Sequence, residues 1–449
     1  MDPTTTAGRL RGHATTKPVP PATAGQVPPV SPGPLLGDTI PGSPQRWWFW
    51  VTFVLAWGST GLAQGIASVA APQLLKSWNP DTATGDLSMI LTVGGLAILV
   101  TTPIFGRLSD RSMSRLGLRR PWLLYGALFA LAGYLVLGIA GNVAVLAIGM
   151  VLTQIGFGAV AMAQHSLFAD QIRRRIRAIM SAVTGAASAV GVLIGVWVTG
   201  RIAPLGQFAI FVGPGAVAVL ASISLFFTLR DRHRTSRPGP IDWHTLLSTF
   251  WLSPRRYPDF AWAWLCRFFM TASIVTVTSY LYLTISQRFR LDLAEDITAV
   301  QTTATAVFTV LNLTAALVFG VISDRSGKRK LCVVAGASFS AIGLLVAVSS
   351  PSITVFLIGI GMVGAGQGAY IAADVALMTE CLPSTEEAGK DLGIVALAYL
   401  LPGILVPVAG FFLTRIGSPT GQNFVALYIA AFVMAVFAAV AVTRVKSVP

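Results

Sequence analysis

Gly106-Arg107-Leu108-Ser109-Asp110-Arg111 recurs 214 residues later as Gly320-Val321-Ile322-Ser323-Asp324-Arg325. Each copy closes a long apolar run and is followed by cations: Arg115, Arg119 and Arg120 after the first, Lys328, Arg329 and Lys330 after the second. A polar signal repeated at half-chain distance, each time at the edge of a hydrophobic segment, marks a duplicated membrane protein with equivalent hinges in its two halves.

Composition narrows the class in the same direction. The chain is 54% hydrophobic and 11% charged, with mean hydropathy +0.71, where soluble domains carry roughly 25% charged residues. The formal net charge of +14 does not point to nucleic acid, because the cations sit in short clusters between apolar runs without a stacking platform. Cys266, Cys332 and Cys381 have neither disulfide nor metal-ligand spacing. No metal or cofactor is expected.

Twelve apolar stretches reach the length of about 20 residues that a membrane helix needs: roughly 47–75, 86–107, 121–141, 143–168, 178–202, 206–229, 259–286, 296–320, 331–350, 353–379, 391–415 and 421–443. None alternates with a period of two, so a closed β-barrel is excluded. With the amino terminus inside, 26 of the 32 Lys and Arg lie on the inner side and five on the outer, with Arg267 within a span. The positive-inside rule then places both termini in the cytoplasm and the chain in a plasma membrane, as in a bacterial inner membrane. The expected order is a disordered tail (1–45), a six-helix half (46–230), a linker with an interfacial helix at Ile241 to Trp251 (231–257), a second six-helix half (258–444) and a short tail (445–449). A monomer in the lipid bilayer is expected.

Twelve spans in two halves, with Gly-x-x-x-Asp-Arg between spans 2 and 3 and again between 8 and 9, resemble the major facilitator superfamily over Trp47 to Arg444. The resemblance implies an all-α membrane protein of two pseudo-symmetric six-helix halves, with spans 1, 4, 7 and 10 lining a central cavity. It also implies a cytoplasmic gate formed by Gly106, Asp110, Arg111, Arg115, Arg119 and Arg120 and by Gly320, Asp324, Arg325, Lys328 and Arg329. Asp110 would face the amino-terminal dipole of span 11 near Gly389 to Asp391, and Asp324 that of span 5 near Ala178. More narrowly, Ser109 to Trp122 is similar to the S-D-R-x-x-S-R-x-G-R-R-R-P element of plant sucrose carriers, relatives of the glycoside–pentoside–hexuronide:cation symporters. Ala169-Asp170 fits that branch, and Ala373-Asp374 reads as its repeat. Gln154 stands where those carriers place a proton-binding carboxylate, and His165 where they have Arg.

Polar side chains at membrane depth are costly. Gln154 and His165 on span 4 are about 20° apart around a helix. Arg267, Thr271, Thr278 and Tyr282 form a stripe on span 7; Gln367, Tyr370 and Asp374 another on span 10; span 1 adds Gln64. Gln64, Gln154, Arg267, Thr271, Thr278, Tyr282, Gln367 and Tyr370 are the candidate substrate cavity. His165, whose unperturbed imidazole titrates near pH 6.5, is the first candidate for a proton switch. Asp170, Asp374 and Asp391 are coupling or gate candidates, and Asp170 and Asp374 are placed near the cytoplasmic surface as gate or capping groups. No paired carboxylates, metal-spaced histidines or activated nucleophile suggest an enzyme. The chain reads as a secondary active transporter of a small solute, a sugar or glycoside by the narrower resemblance, working by alternating access and coupled to an ion, with H+ the favoured one. Export of an amphipathic molecule and a transport-inactive sensor are the alternatives.

Overall fold

The apolar runs become helices broken where backbone chemistry demands it. The computed structural model describes residues 46–172, 176–231, 255, 257–381, 388–418 and 421–446. The tail, the interfacial-helix segment and most of the linker lie outside them. In chain order the helices are α1 Trp47–Trp78, α2 Ala83–Asp110, α3 Arg120–Gly138, α4 Val143–Gln171, α5 Arg177–Ile202, α6 Gln207–Thr228, α7 Pro258–Arg288, α8 Ala294–Ser326, α9 Arg329–Val348, α10 Ile353–Glu380, α11 Ala388–Leu400, α12 Pro402–Leu413 and α13 Phe424–Thr443. Twelve stretches of these helices are long and apolar enough to cross a membrane. Span 11 is divided into α11 and α12 at Leu401, where the next residue is Pro402; proline has no N–H to continue the helical ladder.

The second half repeats the first in register. Asn142 caps α4 by accepting from the Val145 N–H, and Ser352, 210 residues on, caps α10 by accepting from the Val355 N–H. Gly126 on α3 abuts Gly156 on α4, as Gly336 on α9 abuts Gly366 on α10. Gly133 meets Gly149 as Gly343 meets Gly359, and Gly158 approaches α2 as Gly368 approaches α8. Every pair is again 210 residues apart. At Gly156 an added Cβ would lie 2.4 Å from the Ala130 nitrogen, so the close approach of α3 and α4 requires the missing side chain. Helix pairing follows: α3–α4, α2–α4, α3–α6 and α1–α6 are matched by α9–α10, α8–α10, α9–α13 and α7–α13.

The two halves meet along α2–α12, α5–α8 and α1–α7, and these contacts favour one face. Lys76 Nζ donates to the Leu291 carbonyl (3.0 Å) and to Ser286 Oγ. Ser88 and Tyr280 share a buried hydrogen bond of 2.7 Å, and Gln301 donates to the Ser68 carbonyl (3.3 Å). Gly200 touches Thr298 and Gly95 touches Gly403. The hydrogen bonds and the Gly200 contact lie toward the ends of the helices away from Arg111, Arg119 and Lys328, and the Gly95–Gly403 contact lies near mid-helix. The same helices expose apolar side chains along their whole length, Met89, Leu96, Val100 and Leu108 on α2, Ile179, Val190 and Trp197 on α5, Val310, Leu317 and Val321 on α8. Among the described residues, the hydrogen bonds between the halves thus gather at one face.

Candidate functional site

Three neighbours orient α4. Gly156, Ala159 and Val160 face α3, Gly158 and Met162 face α2, and Gln164 and Phe168 face α1. At 100° per residue, Gln154 and His165 fall opposite α3, in the gap between α1 and α2 that opens toward the other half. Gln154 is half-buried and packs on Gly94. His165 is exposed; its Nδ1 donates to the Ala161 carbonyl at 2.7 Å, and its ring meets Trp57 edge-on at 4.8 Å. Phe168 packs on the same tryptophan at 5.7 Å. Gln64 and Thr278 are exposed, and Thr271 and Gln367 half-buried. Tyr282 is buried instead and lines a recess of about 340 Å³ at the opposite face, with Lys76, Gln73 and Asp292.

The second half brings charge together deep in the bundle. Arg267 Nη1 on α7 lies 2.9 Å from Asp374 Oδ2 on α10, and Tyr370 Oη donates to Asp374 Oδ1 at 2.6 Å. The Asp374 side chain is 7% exposed and that of Arg267 22%. Asp374, expected near the cytoplasmic surface as a gate or capping group, stands at the end of the apolar stretch Ile353–Asp374 and is buried against other side chains. It lies six residues inside the end of α10 and is held there by a guanidinium that offsets its desolvation. Ala373-Asp374 is not the spatial repeat of Ala169-Asp170. In the 210-residue register Asp374 matches Gln164, which donates to the Ala56 carbonyl of α1 at 2.7 Å.

Asp170 belongs to a different cluster at the cation-rich face. Arg119 binds Asp170 through Nε (2.9 Å), Asp110 through Nη1 (2.7 Å) and Ser109 Oγ (2.8 Å). Ser109 in turn donates to the Leu118 carbonyl (2.9 Å). Asp231 accepts from the backbone N–H groups of Arg119 and Arg120. A Cβ at Gly117 (φ +109°) would collide with that carboxylate. Burial lowers the affinity of Arg119 for its proton, but Asp170 and Asp110 raise it further, and the balance lies above the ordinary guanidinium value. Arg120 donates to the Phe226 carbonyl and lies 4.6 Å over the Phe226 ring. Gly106 has Met162 as its neighbour, Gly320 faces open space, and Asp324, Arg325 and Lys328 are exposed. Arg111 is half-buried and Arg115 exposed, and Arg329 is half-buried. The side chains of Lys390 and Asp391 lie outside the described residues.

Sequence reading missed Gln164, Trp57, Asp231 and the Lys76 contact. The glycine register would have exposed the first two, since Gln164 and Trp57 stand 210 residues before Asp374 and Arg267. Asp231 and Lys76 act through contacts distant in the chain and leave no local signal.

The family model for the Major Facilitator Superfamily matches residues 52–302 and 291–449. Multidrug resistance protein 2 of Bacillus subtilis (strain 168) is 23% identical over 302 residues, 66% of this chain and 72% of that protein. A bacterial homologue of the human lysosomal transporter Spinster, in an inward-facing and unoccupied conformation, superposes with TM-score 0.67 at 14% identity, over 90% of this chain and 96% of that one. A D-xylose–proton symporter gives TM-score 0.67 at 17% identity, over 89% and 98%. The curated relative is named for drug resistance, not for the sucrose transport suggested by Ser109 to Trp122.

Proposed function

Because this chain belongs to the major facilitator superfamily, a family of transporters rather than enzymes, we propose that it moves an amphipathic small organic solute by proton-coupled alternating access. The plasma membrane is its site in this reading, with the cation-rich face and both chain ends in the cytoplasm. The observation that carries the mechanism is the one-sided junction of the halves. Lys76, Ser88 and Gln301 tie α1, α2 and α8 across to the other half at the end away from the cation-rich face, where the hydrogen bonds between the halves gather among the described residues. Such a junction supports a state open to the cytoplasm, and transport requires a second state with the junction reversed. In that second state the Asp110–Arg119–Asp170 cluster and the Gly320 to Arg329 copy would close the cytoplasmic side.

The cavity-facing side chains support an amphipathic cargo. Trp57, His165 and Phe168 offer an aromatic wall, while Gln64, Gln154, Thr278 and Gln367 are few and uncharged. The drug-resistance relative agrees with this reading. A sugar or glycoside is the second reading and rests on the Ser109 to Trp122 element. Ser109 and Arg119 of that element are engaged in the cytoplasmic cluster and do not reach the cavity stripe. Proteoliposomes loaded with unlabelled solute should accumulate the labelled form by counterflow, and a pH gradient should drive net movement. Labelled aromatic amphiphiles should move and labelled sugars should not. Absence of counterflow with every solute in folded protein would defeat the transporter reading.

A further inference from the structure

The Arg267–Asp374–Tyr370 cluster is more than a brace. The matching contact in the first half is closed by an amide on a carbonyl, Gln164 on Ala56, without any charge. The fold therefore does not need an ion pair at this place, and burying one costs several kcal/mol of desolvation per ion before attraction repays it. Arg267 is also the more exposed partner, 22% against 7%, and among the described residues Asp374 engages its Nη1. The remaining guanidinium donors are a fork suited to a carboxylate or similar oxyanion. Two turns away on the same face of α10, the buried Gln367 Oε1 has no partner.

We propose that Arg267 anchors the anionic headgroup of the cargo, that Asp374 competes for the guanidinium until it takes a proton, and that the aromatic wall at Trp57 and His165 receives the cargo's apolar body. The inference rests on the transporter reading and names its substrate class: aromatic or otherwise amphipathic monocarboxylates. Ionised Asp374 neutralises Arg267 and disfavours an entering anion. Protonated Asp374 leaves one positive charge facing the cavity. Proton and anion thus favour each other's binding, and the coupling is reciprocal. The proton passes from water to the Asp374 carboxylate on loading and returns to water on release. One proton and one monoanion carry no net charge across the membrane. The groups that set this site are Arg267 and Cys266 from α7 and Tyr370 from α10 itself. α8 and α9 bring the uncharged Asn312 and Gly336 against α10 here, with Cys332 a turn before Gly336.

The test is equilibrium binding of radiolabelled benzoate, phenylacetate and indole-3-acetate to the purified full-length protein from pH 5.5 to 8, against benzamide and benzylamine. At least one acid should bind tenfold or more tightly than the amide and amine, and more tightly at low pH. Asp374→Asn should bind that acid with affinity independent of pH. Arg267→Gln should lose tenfold or more, and Arg267→Lys should recover part. The pH dependence should survive His165→Gln. In proteoliposomes, acid flux should respond to a pH gradient and ignore a potential set with potassium and valinomycin. The proposal is overturned if the amide or amine binds as tightly, if none of the acids binds, or if His165→Gln rather than Asp374→Asn removes the pH dependence. Movement of neutral or cationic solutes alone would overturn it while sparing the transporter reading, which fails if no solute moves.

Discussion

Where α4 meets α1, Gln164 donates to the Ala56 carbonyl and aromatic rings from Trp57 and Phe168 fill the neighbouring space. Where α10 meets α7, 210 residues on, Asp374 and Arg267 form a buried ion pair with Tyr370. The backbone frames are the same, down to the facing glycines and the helix caps. A duplicated fold supplies its own control: what differs between matched positions is not required for closing the helices. At these matched positions one half carries an ion pair and the other an amide and an indole.

The largest effect should come from breaking the charged contact on one side. Arg267→Ala leaves a carboxylate buried without its cation, and about 3–5 kcal/mol of stability should be lost, read as a lowered thermal midpoint in detergent. The double variant Arg267→Trp with Asp374→Gln copies the first half and should recover most of that loss. A double variant as unstable as the single would show that the two contacts are not equivalent.

Next come the glycines. Gly156→Ala and Gly366→Ala each force a Cβ against backbone or the Ser340 hydroxyl, and overpacking should cost about 1–3 kcal/mol in both. Thermal unfolding of the two variants should shift by similar amounts; a shift in one half alone would break the symmetry of the frame. Gln164→Leu should cost less, about 0.6–1 kcal/mol, well below Arg267→Ala in the same assay.

The smallest expected change concerns the cluster at the cation-rich face. Against the opposing effect of burial, Asp170 and Asp110 hold the Arg119 guanidinium above its ordinary range. Its contribution is therefore present throughout the range below the ordinary guanidinium value and is lost only as pH rises through the higher folded value. Between about pH 6 and 9 its protonation should supply no pH dependence, so the stability difference between wild type and Arg119→Gln should stay flat over that range. A slope in that difference would show that a neighbouring group titrates with it.

Much of this was legible in the chain. Apolar length sufficed for twelve spans, because it follows from what lipid does to an exposed peptide group, and the repeated hinge carried the resemblance to the family. Arg267, Tyr370, Gln154 and His165 were also visible as polar residues at costly depth. Their partners were not. Ala373-Asp374 looked like Ala169-Asp170 because two adjacent letters matched, whereas spatial register follows the facing glycines. That mismatch hid the ion pair with Arg267.

The sequence by itself determined that the chain crosses a membrane repeatedly in two related halves, since hydrophobic length and repeat spacing are local properties summed along the chain. Only the tertiary structure decided which charges neutralise which, that the hydrogen bonds between the halves gather at one face, and that Asp374 is buried against Arg267 and Tyr370. Those depend on which helix faces meet. Neighbours in space are brought together by close packing at Gly126, Gly156, Gly336 and Gly366, whose consequence for a residue on another helix is not written in any stretch of sequence around it.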